Sequence, residues 1–152
     1  MHNSVSIRDL GVMICLLFFV VGFGCQRNEH KHATAGGGYG LGEVANGKRI
    51  GFWEFYRADD TREAAGNFED DQESGEWKFW YENGQLAEVS SWSLGKMNGS
   101  YQTYFENGKP EVSGSFEMDK RTGKWEWYFE DGSLSSVEYY KGNKPTGCWE
   151  TY

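Results

Sequence analysis

Aromatic and polar residues alternate in short runs along the chain, as in Trp77, Phe79 and Tyr81 set between Glu76, Lys78 and Trp80. A period of two is that of a strand whose successive side chains point to opposite sides of a sheet. Each run stops at a turn-forming pair, Asn83-Gly84, Asn107-Gly108 or Asp131-Gly132, and a second alternating run follows. Asn-Gly between two such runs predicts a hairpin with a two-residue type I′ turn, because both central residues take positive φ there. Gly84, Gly108 and Gly132 are therefore assigned structural roles. This turn would set Tyr81 opposite Leu86, Trp80 opposite Ala87 and Phe79 opposite Glu88. Residues 94–98 are left as the longer connection to the next hairpin.

The hairpin recurs every 24 residues: GFWEFY at Gly51, GEWKFW at Gly75, GSYQTY at Gly99, GKWEWY at Gly123 and GCWETY at Gly147. A fixed period in this range marks an array whose units bury their apolar faces only against their neighbours. The predicted fold is all-β, an elongated antiparallel sheet of successive hairpins over residues 43–152. The first copy departs from the rest, with Asp59-Asp60 at the turn and Arg57 where later copies have Tyr81, Phe105 and Phe129. A longer or looser turn is expected there.

Alternation sorts the side chains onto two faces. Trp77, Phe79, Tyr81, Leu86 and Trp92, with the counterparts Trp53, Phe55 and Phe68, Tyr101, Phe105 and Phe116, and Trp125, Trp127, Phe129, Leu134 and Tyr140, form the expected core face. The other face carries one aromatic at a fixed position in each copy: Tyr56, Trp80, Tyr104, Tyr128 and Tyr152. Two strand spacings separate neighbours, roughly 9.6 Å, so these residues would form a column along the sheet. Cross-strand packing is one reading of the column, and an aromatic strip for a partner surface or a sugar chain is the other.

The copies GEWKFWYENGQLAE and GSYQTYFENGKPEV resemble the MORN repeat variant of bacterial proteins, and the resemblance extends over residues 43–152. It implies a twisted meander of hairpins with no helical layer, and it implies no activity. Some relatives carry an antitoxin label, which makes toxin neutralisation an alternative function.

Before the repeats the pattern changes. Residues 10–24, LGVMICLLFFVVGFG, are uncharged and too short for a comfortable bilayer span. They have the length of the helical core of a signal peptide. The run ends in Gly22-Phe23-Gly24-Cys25, which resembles a bacterial lipoprotein signal. That resemblance implies removal of residues 1–24 and lipidation of Cys25; an uncleaved anchor is the alternative. Residues 25–42, poor in apolar side chains and rich in glycine, are expected to be a lipid-anchored flexible linker. Both readings place the repeats in the cell envelope, facing the periplasm or the exterior.

Composition narrows the function further. A formal charge of −8 argues against a phosphate-binding surface, so nucleic acid is not an expected partner. The three cysteines, at positions 15, 25 and 148, cannot build a disulfide framework, and Cys148 is expected to pack rather than react. His30 and His32 lack a third ligand, and Glu69, Asp70, Asp71 and Glu73 do not match a calcium loop. From residue 43 onward there is no histidine, no nucleophile elbow and no phosphate loop. The expectation is a non-catalytic scaffold with no cofactor and no metal, tethered to a membrane and binding an envelope protein. Carbohydrate or peptidoglycan recognition is the alternative, and homo-oligomerisation is left open.

Overall fold

The computed structural model describes residues 30–147 and 150–151. The apolar segment, Cys25, Cys148 and Tyr152 lie outside the described residues. Within them the chain forms one antiparallel sheet and no helix. Its strands are β1 (His30–Ala33), β2 (Tyr39–Ala45), β3 (Lys48–Tyr56), β4 (Arg62–Glu69), β5 (Gln72–Trp80) and β6 (Leu86–Ser93). They continue as β7 (Lys96–Tyr104), β8 (Pro110–Glu117), β9 (Lys120–Tyr128), β10 (Leu134–Lys141), β11 (Lys144–Pro145) and β12 (Glu150–Thr151). Each strand from β1 to β10 pairs with the next in sequence, and β12 pairs with β10.

The flexible linker expected over 25–42 is corrected from residue 30 onward, where β1 and β2 form a hairpin with His32 opposite Gly40. The glycines read as spacers are seats for aromatic rings. A Cβ on Gly42 would fall 2.3 Å from Trp53 Cδ2, and one on Gly40 would fall 3.0 Å from Phe55 Cε1. The His32 ring packs 5.0 Å from that of Trp53, and Lys31 Nζ lies 3.5 Å over the Tyr39 ring. The first copy is thereby covered on its outer side.

The two kinds of turn exchange places relative to expectation. At Asn83-Gly84 the loop has three residues: Gly84 N–H donates to Tyr81 O, Tyr81 N–H donates to Gln85 O, and only Gly84 takes positive φ, at 82°. Phe79 keeps Glu88 as its partner, but Trp80 faces Leu86 and Ala87 becomes the extra residue of a bulge. The physical reason is local. Asn83 Oδ1 accepts from Gln85 N–H at 2.9 Å, which favours a type I turn followed by a left-handed glycine. The first copy makes the same turn with Asp60 at φ 64°, so its turn is neither longer nor looser. Asp59 holds it by accepting from the Thr61 N–H and hydroxyl.

The tight type I′ turns lie at the other rim, where a longer connection was expected. Asp70-Asp71, Leu94-Gly95 and Met118-Asp119 each have positive φ at both residues, and Glu69, Ser93 and Glu117 pair directly with Gln72, Lys96 and Lys120. The second turn residue also clasps the preceding hairpin. Asp71, Gly95, Asp119 and Asn143 donate their N–H groups to the carbonyls of Arg49, Glu73, Met97 and Arg121. The side-chain oxygens of Asp71, Asp119 and Asn143 accept a bond back from the N–H of Arg49, Met97 and Arg121. Gly95 has no side chain to return this bond. Gly95→Asn should raise the unfolding free energy by about 0.5–1.5 kcal/mol in a denaturant titration. Asparagine tolerates φ 71°, and its Cβ meets nothing closer than 3.6 Å.

The core face is built from a tryptophan folded over a glycine of the neighbouring copy. Between Ala65 and Asn67 the ladder slips around Gly66, and the Trp77 indole lies where its Cβ would be, 2.2 Å from Cδ2. Trp125 occupies Gly114 in the same way, at 2.3 Å. Indole N–H groups then reach carbonyls beside the glycines: Trp77 Nε1 donates to Asn67 O and Trp53 Nε1 to Glu43 O. Edge-on rings fill the space between, with Phe68 4.9 Å from Trp77 and Phe116 5.1 Å from Trp125. Trp53, Phe68, Trp77 and Trp125 are buried accordingly.

The third copy breaks the rule by carrying Tyr101 in place of tryptophan and Ser90 in place of glycine. Ser90 is buried and its Oγ accepts from Trp92 Nε1 at 2.9 Å. Tyr101 O–H donates to Glu88 Oε2. A polar seam thus divides the core face into two aromatic clusters, one around Trp53 and Trp77 and one around Trp125.

Candidate functional site: the uncovered face

Residues that point away from the aromatic core form a second face that no other layer of the described residues covers. Its centre is a cross-strand row in continuous register: Glu54, Ala65, Lys78, Val89, Gln102, Ser113, Glu126 and Val137. Ala65 and Val137 are buried within it by their neighbours, while Lys78 pairs with Glu76 and Lys124 with Glu126 across the surface. The bond from Lys124 holds the Glu126 carboxyl below its ordinary range. A shallow depression of about 660 Å³ lies over β5 to β9, with Lys78, Val89, Gln102, Tyr104, Ser113 and Lys124 among its lining.

The expected aromatic column borders this depression. Tyr56, Trp80, Tyr104 and Tyr128 are all half-buried, and Tyr152 lies outside the described residues. Each is fixed by its own surroundings. Tyr56 stacks on Tyr39 at 5.1 Å, the Arg62 guanidinium sits 5.1 Å over Trp80, and Tyr104 O–H donates to Gln102 Oε1 at 2.8 Å. Among the described residues no ring of the column contacts another. The column is a set of separate platforms, with gaps floored by small and polar side chains.

Position 57 of the first copy and its counterpart in the second fasten adjacent copies through the column backbone. Arg57 donates to Trp80 O and Tyr81 O–H donates to Tyr104 O at 2.6 Å. Phe105 and Phe129 hold the same place without a donor, and Phe129 is exposed.

Two tests bear on chemistry. Among the described residues no group of three or more His, Cys, Asp or Glu side chains is placed to hold a metal ion. Apart from Glu126 on β9, the carboxyls with depressed proton affinity are turn residues: Asp59 and Asp131 are held by Thr61 and Ser133, and Asp71 by Arg49. These shifts have structural causes. On the core face, burial and the neighbouring Glu88 push the Tyr101 phenol up to about 12. The neutral phenol is favoured in the folded state, so its contribution is complete below pH 10 and is lost as pH rises towards about 12. After allowance for partial exposure this amounts to about 1 kcal/mol. Thermal melts across that window should show wild type losing stability more steeply than Tyr101→Phe.

Several exposed residues were missed when the column was drawn from alternation alone. Phe52 stands on the uncovered face where other copies have Glu76, Ser100 and Lys124, and Tyr139 where they have Asn67, Ser91 and Ser115. Leu94 and Met118 project from the tight turns. Comparing aligned copies position by position would have found all four, since Phe52 and Tyr139 stand where the other described copies are polar, and Leu94 and Met118 share a position that is Asn46, Asp70 or Gly142 elsewhere.

No curated protein matches the chain. Three consecutive segments, residues 73–93, 97–118 and 121–141, match the family model described as the MORN repeat variant. Their boundaries coincide with the hairpins β5–β6, β7–β8 and β9–β10, and β3–β4 repeats the same geometry ahead of them. Residues 73–141 therefore carry three consecutive repeats that match the MORN repeat variant, each in register with one hairpin.

Proposed function

We propose that this protein is a non-catalytic scaffold, held at the cell envelope by its N-terminal segment, that binds a protein partner on the uncovered face. The observation that carries this reading is the row of half-buried aromatic platforms beside an open depression, on a sheet face with no covering layer among the described residues. Aromatic side chains with one packed and one open side suit an interface, because they bury large area at little conformational cost. MORN repeats generally mediate interactions with proteins and membranes, which is compatible with such a role. Tethering would come from acylated Cys25 or from the uncleaved apolar run.

Capture from envelope extract with wild type and with a Tyr104→Ala, Tyr128→Ala double variant tests the surface. Loss of two platforms should weaken recovery of a specific partner by about tenfold or more. Equal recovery by both proteins would overturn the assignment. Cys25→Ser should release the chain from membranes if acylation holds it, and unchanged fractionation would leave the uncleaved anchor. The Ser113, Gln102 and Tyr104 side chains in the depression favour a glycan as the second reading, and sedimentation with purified cell wall separates the two.

A further inference from the structure

Leu94 and Met118 combine two features that rarely meet. Both take positive φ, at 52° and 48°, in the first position of a type I′ turn, where other copies place Asn46, Asp70 and Gly142. Aliphatic side chains are strained in that region, and both are also exposed, at 61% and 44%. Two adjacent turn tips thus present apolar side chains that neither the turn nor the core requires.

Charge gives this rim a complement. Around these tips Lys96, Lys120, Lys141 and Lys144 are exposed, and among the described residues none of them joins an ion pair. Farther towards the N-terminus the same rim neutralises itself, through Lys48 with Asp70 and Arg49 with Asp71. The opposite rim, formed by the three-residue turns, carries exposed Glu82, Glu106, Glu130 and Asp131, also outside any ion pair among the described residues. Phe129 stands beside them, 51% exposed. Both rims belong to one ribbon and share its spacing of two strands per copy, so the lysines of one molecule match the glutamates of another in register.

We propose that copies of this chain associate side by side, the rim bearing Leu94, Met118, Lys96 and Lys120 of one molecule docking against the Glu106, Phe129 and Glu130 rim of the next. The interface is heterologous and leaves an unused rim on each outer molecule, so association is open-ended. It leaves the uncovered face free and uses none of the column residues, so its failure is separable from that of the proposed partner surface.

Sedimentation velocity on the full chain across a concentration series tests this, with the N-terminal segment common to all variants. Wild type should form salt-sensitive oligomers. Leu94→Asn with Met118→Asn should weaken association about tenfold while the fold is kept, since asparagine occupies this turn position natively at residue 46. Lys96→Glu with Lys120→Glu, and separately Glu106→Lys with Glu130→Lys, should each abolish association alone. Mixing these two charge-reversed proteins should restore it. A wild type that remains monomeric, an asparagine variant that associates like wild type, or a mixture that fails to recover would each overturn the proposal. So would Leu94-dependent and Met118-dependent binding to anionic lipid vesicles without self-association.

Discussion

Trp125→Ala should lower the unfolding free energy by about 3–5 kcal/mol, the largest loss expected from any single truncation in the array. Trp125 is 1% exposed and meets Tyr101, Phe116, Trp127 and Tyr140 at ring distances between 5.1 and 6.3 Å. Removing it opens a void between two copies, because the ring belongs to one hairpin and its seat, Gly114, to the one before. Its Nε1 is buried without a hydrogen-bond partner among the described residues, which subtracts from what the ring contributes. Urea titration followed by the remaining tryptophans measures the effect. A midpoint equal to that of wild type would mean that the buried face has been assigned wrongly.

Gly66→Ser should cost about 2–3 kcal/mol, and Trp77→Tyr in the same molecule should return part of that loss. The added Cβ at residue 66 would lie 2.2 Å from Trp77 Cδ2, so either the indole or the strand must shift. The third copy already shows the compatible pair, with Ser90 beneath Tyr101. A double-mutant cycle should give a favourable coupling of about 1 kcal/mol or more. Additive effects would show that glycine and tryptophan do not share one space.

The hairpin array, the tryptophans of the core face and the positions of the aromatic column could be read from the sequence because the same alternation and the same turn residues recur at a fixed interval. Leu86, however, expected on the core face, is carried by the bulge opposite Trp80 and lines the depression, and Phe129, expected there too, is exposed. What could not be read was which of the two turns is tight. Asn83-Gly84 fits both a two-residue and a three-residue loop, and the choice rests on the Asn83 side chain bonding to Gln85, a contact that spacing does not reveal. The strand at His30–Ala33 was hidden for a different reason. Gly40 and Gly42 look like spacer residues until the rings of Phe55 and Trp53 are placed over them. The candidate surface was only half visible: period located Tyr56, Trp80, Tyr104 and Tyr128, but the unpaired rim charges and the strained tips at Leu94 and Met118 depend on three-dimensional neighbours.

Because Trp53, Trp77 and Trp125 are each received by a glycine of the hairpin before, the array constrains how it can be shortened. Excising residues 73–96 would bring Tyr101 onto Gly66, a small ring onto an empty seat, and the junction should close. Excising residues 97–120 would bring Trp125 onto Ser90, a large ring onto an occupied one, and it should not. Whole-unit loss in such a lineage is thus directional, permitted across one boundary and blocked across the next by a single hydroxymethyl group.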